Sequence, residues 1–156
     1  MVARLRDEIK QTKPFGLPEE ELYLALQRTA DSLLQGVEAA LKPHGLSATQ
    51  YNVLRILRGA EPDGLPCREI GARLITREPD VTRLLDRMER RELVTRARLS
   101  SDRRVVRVRI SASGLRLLKN LDTSIAETHR RQLGHLRGAH LRDLLTLLEA
   151  AREQAR

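Results

Sequence analysis

The sequence predicts a mainly α-helical fold that carries one small β-hairpin, and three observations predict it. Apolar residues recur at helical spacing through most of the chain, as in Val81, Leu84, Leu85 and Met88 at i, i+3, i+4 and i+7. Near the middle the period changes from helical to two: Val106, Val108 and Ile110 alternate with Arg107 and Arg109. Two short helices across a tight turn precede that change. Together these give the order of a winged helix-turn-helix domain with further helices around it.

Residues 1–16 are polar and basic and end in Lys13, Pro14, Phe15 and Gly16, so they read as an N-terminal arm or a short helix. The segment 17–46 holds a first long helix, whose stripe asks for cover. Pro18 suits its first turn, Glu19, Glu20 and Glu21 sit at the positive end of its dipole, and Leu22, Leu26, Leu33, Val37 and Leu41 form its apolar stripe. Lys42 and Pro43 stop it. Residues 47–110 form the DNA-binding lobe. Ser47 and Gln50 fit a capping box, and Val53, Leu54 and Leu57 face inward from a helix that runs to about Arg58. Two glycines and two prolines make Gly59–Pro66 a connector.

Cys67 to Leu74 then read as a short helix burying Ile70 and Leu74, and the Val81 to Met88 stripe follows a break at 75–79. Val94–Arg98 and Val106–Ile110 are the hairpin strands, with Leu99 to Arg103 at the tip. In residues 111–156, Ser111 suits an N-cap for a helix through Leu115, Leu118, Leu121 and Ile125 to about Leu133. After Gly138, the leucines 141, 144, 145 and 148 form a last helix.

Among 156 residues, Lys and Arg number 29 against 21 Asp and Glu, a net charge of +8 that suits a polyanionic partner. All but four of those cations are arginine, whose planar fork matches phosphates and guanine edges. A single cysteine, Cys67, excludes an internal disulfide, and His44, His129, His135 and His140 lack metal-site spacing. No nucleophile and base pair or Gly-rich phosphate loop is recognisable, so neither enzyme activity nor a cofactor is expected. The N-terminus is charged, and no run approaches the roughly 18 apolar residues of a membrane span. The chain reads as cytoplasmic, with no membrane partner.

With the Val81 to Met88 stripe inward, Arg83, Asp86 and Arg90 fall near the opposite face of the fourth helix. Such a helix enters the major groove by its N-terminus, so base contacts are expected from Arg77, Asp80, Thr82 and Arg83, with Arg87 nearby. Arg83 can donate twice to a guanine, whereas Asp80 reads foremost as a cap or as a group orienting Arg83. Arg87 to Arg91 are also explained as a solvated face, with Asp86 and Arg90 as an i, i+4 pair. The hairpin concentrates Arg96, Arg98, Arg103, Arg104, Arg107 and Arg109 with only Asp102 near, and double-stranded DNA would compensate that charge. A tip arginine can also enter a narrow minor groove. An RNA or architectural binder is the competing nucleic-acid reading.

The runs SATQYNVLRIL, CREIGARL, PDVTRLLDRMERRELV and SSDRRVVRVRIS resemble the MarR family of bacterial transcription regulators, over residues 18–154. Asp102, Arg103 and Arg104 look like that family's Asp-x-Arg wing signature, which implies that Asp102 orients Arg104 for the minor groove. The resemblance further implies a homodimer formed by the first and last two helices, a palindromic operator, and repression. Several members respond to small anionic or aromatic effectors, for which Tyr23, Arg28, His44 and Tyr51 are the candidates here; each is equally a structural residue. An effector-independent dimer is the alternative. A redox sensor at Cys67 is another, against a plain capping role for that residue. The position before Leu93, often glycine in such regulators, is Glu92, so the turn into the wing is expected to differ or to bear strain.

Overall fold

The computed structural model describes residues 4–98 and 104–155. The chain divides into two compact units, Met1–Gly36 and Val37–Arg156.

In the first unit, α1 (Leu5–Glu8) is a single turn, which is what becomes of the basic arm. Helix α2 (Pro18–Leu41) opens as its sequence requires, with proline first and three glutamates in its first turn. Arg28 lies 3.8 Å from Glu8. The apolar stripe of α2 is largely uncovered within this unit, for Leu22, Tyr23, Leu26 and Leu34 are all exposed.

The second unit takes the end of α2 from Val37, then a 3-10 turn at Lys42–His44, α3 (Ala48–Gly59), β1 (Leu65–Pro66), α4 (Cys67–Arg73), α5 (Val81–Arg90), β2 (Val94–Arg98), β3 (Val106–Ile110), α6 (Ala112–Leu133) and α7 (Gly138–Gln154). The capping box of α3 is complete: Gln50 N–H donates to Ser47 Oγ at 3.1 Å and Ser47 N–H to Gln50 Oε1 at 3.2 Å. Ser111 caps α6 by accepting from Gly114 N–H at 3.0 Å. One core joins Leu41, Leu54 and Leu57 to Ile70, Leu84, Leu85, Met88, Val94, Val108, Leu118 and Leu121. Helix α7 buries none of its residues, and Leu144, Leu145 and Leu147 stand exposed on it.

The wing is more than the hairpin expected from the sequence. Its three antiparallel strands lie in the order β1-β3-β2, with Leu65 opposite Val108 and Pro66 opposite Arg107. The supposed connector therefore contributes a strand. Gly64, at φ +69, brings the chain so close to β3 that a Cβ there would collide with the Val108 carbonyl and the Arg109 side chain. Pro66 is tolerated because β1 is an edge strand. Helices α4 and α5 with this sheet make a winged helix-turn-helix. Among the described residues, no helix is long and apolar enough to cross a membrane.

Candidate nucleic-acid interface

Helix α5 is held by its buried side and leaves the other open. Leu84, Leu85 and Met88 are buried, while Arg77, Asp80, Thr82, Arg83 and Arg87 are all exposed. Asp80 is the N-cap, its Oδ1 accepting from Arg83 N–H at 2.9 Å, so the capping role read from the sequence is the contact present. The preceding turn is fixed from behind, where Asn52 Oδ1 on α3 accepts from Ile75 N–H at 2.9 Å. Cys67 is the first residue of α4 and Pro66 is its N-cap, so the cysteine does not cap. Its Sγ lies 3.8 Å from Thr82 Oγ1, joining the two helices of the motif.

At the exit from α5 the glutamate before Leu93 takes the left-handed position. Glu92 adopts φ +57, its N–H donates to Glu89 O at 2.8 Å, and Leu93 N–H reaches Met88 O at 3.0 Å. That pair of bonds is a Schellman closure, which normally places glycine at the left-handed position. Next to it Arg91 reaches back across the lobe, donating from Nη1 to Gly45 O at 2.7 Å and from Nη2 to His44 O at 3.2 Å. Nothing in the local sequence pattern marks Arg91 for this latch, because its partners lie more than forty residues away.

Two expectations about wing charge change. Arg96 is not an uncompensated ribbon cation: its Nη1 donates to Asp86 Oδ1 at 2.6 Å and Glu89 Oε2 at 2.9 Å, and its Nη2 lies 3.4 Å from Thr82 O. Burial works against the Arg96 charge, but Asp86 and then Glu89 outweigh it and raise the guanidinium pKa. Asp86 thus pairs across to β2 instead of with Arg90, because β2 packs beside α5. Arg107 is half-buried, and its Nη1 donates to Gly64 O at 2.9 Å. Arg104 is exposed at the start of the second wing segment, while Asp102 and Arg103 lie outside the described residues.

The four candidate effector residues differ in setting. In the first unit, Tyr23 is exposed and its hydroxyl accepts from Gln27 Nε2 at 2.8 Å, while Arg28 faces Glu8. In the second, His44 is exposed, and Tyr51 is buried in the core, where desolvation raises its pKa against the opposing pull of Arg55. A recess of about 700 Å³ in the first unit is lined by Arg4, Arg6, Phe15 and Glu21 among others. Another, of about 480 Å³, lies in the second unit between Glu38, Lys42, Gly45, Leu46, Ser47 and Gln50. None of the four candidates lines either recess.

Comparison with known proteins gives a consistent result. The MarR family model matches residues 46–106, from just before the α3 cap to the start of β3. A solved MarR transcription factor from Planctomyces limnophilus is 42% identical, with 88% of this chain and 99% of that one covered and a TM-score of 0.66. The homoprotocatechuate degradative operon repressor of Escherichia coli is 27% identical over 130 residues, 83% of this chain and 86% of that protein. A mutant MarR from E. coli, solved in complex with operator DNA, shares the fold at 21% identity and a TM-score of 0.75, with 96% and 99% of the two chains covered.

Proposed function

The chain belongs to the MarR family of transcription regulators, which are not enzymes, and from that premise we propose that it is a repressor that binds a palindromic operator as a homodimer. The observation that carries this reading is the α5 surface: Arg77, Thr82, Arg83 and Arg87 stand exposed around a capped helix N-terminus, beside an arginine-rich wing. Arg77, Thr82 and Arg83 would read base edges in the major groove, Asp80 would hold the helix start, and Arg87 would meet phosphate. Arg104, with Arg103 and Asp102, would serve the minor groove.

Dimerisation is supported by leucines that have no cover within their own unit, Leu22, Leu26 and Leu34 on α2 and Leu144, Leu145 and Leu147 on α7. Release by a small effector follows if a ligand in the 480 Å³ recess disturbs Gly45 or Gln50, since Arg91 ties that corner to the end of the recognition helix. The relative that represses a degradative operon fits such control.

Selecting bound duplexes from a random pool at stated salt tests the reading. A two-fold symmetric motif, with half-sites about 34–36 Å apart, is expected. Emergence of no symmetric motif, or preference for RNA in competition, overturns it.

A further inference from the structure

The wing is joined to the recognition helix at one guanidinium. Arg96, on β2, bonds Asp86 and Glu89, which sit three residues apart on α5, and approaches the Thr82 carbonyl at the same time. The Arg96 side chain is only 25% exposed, whereas the two carboxylates are 42% and 41% exposed, on a helix that also presents Arg83, Arg87 and Arg90. Two free carboxylates on that helix would repel a phosphate backbone over distances shorter than the Debye length, about 8–10 Å in ordinary buffers.

We propose that Arg96 is a positioning residue for DNA binding, which braces the wing against the recognition helix and offsets one of the two negative charges of Asp86 and Glu89, so that this helix meets DNA with one uncompensated carboxylate charge instead of two. The inference rests on the DNA-binding reading above. It separates two classes of wing arginine: Arg96 faces the protein's own acids, and its value to binding lies in what it masks. Its planar fork serves three acceptors on one side of the helix, which a lysine ammonium with its tetrahedral donors does less well.

The test is DNA affinity and its salt dependence for the full-length chain on its selected duplex, with urea unfolding run in parallel. Arg96→Ala is expected to bind at least tenfold more weakly, and Arg96→Lys to recover part of that loss. Adding Asp86→Asn and Glu89→Gln to Arg96→Ala is expected to restore most of the affinity, because the unmasked charge has gone. A bystander brace would show no such recovery. Glu89→Gln alone, which keeps the Asp86 pair and hence the fold, is expected to tighten binding several-fold and to steepen the dependence of log K on log salt. If the triple variant binds no better than Arg96→Ala, or if Glu89→Gln leaves both affinity and salt slope unchanged, masking is wrong. Failure of the unmodified protein to select any duplex would instead overturn the DNA-binding reading itself.

Discussion

The carbonyl of Glu92 accepts the hydroxyl of Ser111, and through that contact the turn that closes α5 is fastened to the cap that starts α6. Glu92 stands at φ +57 to make it. Ser111 N–H also donates to Leu93 O at 3.0 Å, so one serine donates to two successive carbonyls of the turn. Helices α5 and α6 thus share one small knot of hydrogen bonds.

Because a left-handed backbone costs a residue bearing a Cβ about 1–2 kcal/mol, Glu92→Gly is expected to raise the unfolding free energy. Part of that gain returns to the more flexible unfolded chain, which leaves a net of about 0.5–1 kcal/mol. Urea denaturation measures it. A loss of stability would mean that the Glu92 side chain holds the turn by contacts that outweigh the strain.

Arg83→Ala is expected to relax base choice at one position in each half-site, at a cost of about 1–3 kcal/mol for the preferred sequence. Selection from a random pool reads this directly. Uniform weakening on all sequences would make Arg83 a phosphate contact.

From sequence Arg107 is one of the wing arginines whose charge DNA would compensate, but its guanidinium reaches Gly64 O in the fold. Arg107→Ala is therefore expected to lower stability by about 1 kcal/mol and to leave the salt slope of DNA binding unchanged. A slope that falls by about one unit returns the residue to phosphate.

Tyr51 carries a hydroxyl whose pKa burial raises above its ordinary value of 10.0. The folded state then binds the proton more tightly than the unfolded chain does. That contribution is complete below pH 10 and is lost as pH rises beyond it. Unfolding free energy should fall above about pH 10, and Tyr51→Phe should flatten the fall. An alkaline profile that is the same in both proteins would assign the loss to other groups.

The elements were legible because their signals are local. The capping box at Ser47 and Gln50, the cap at Ser111 and the stripe from Val81 to Met88 all depend on residues within two helical turns of each other, and each appears where its spacing places it. The strand at Leu65–Pro66 was not legible. Two residues long and set among prolines and glycines, it exists only because β3 offers an edge and Gly64 permits the approach. The strain at Glu92 lay between these cases: the missing glycine was visible in sequence, and the fold supplied the angle.

By itself, then, the sequence determined the helix order, the wing strands β2 and β3, the exposed basic face of α5 and the family, since each follows from periodicity, capping or a contiguous motif. Only the tertiary structure decided which arginines face the protein and which face outward. Arg91, Arg96 and Arg107 carry the same charge and sit in the same basic stretch as Arg83 and Arg87, but backbone carbonyls or acids from elsewhere in the lobe engage them. A guanidinium's role is set by the acceptors within about 3 Å of it, and chain folding brings those acceptors from residues seven to forty-seven positions away.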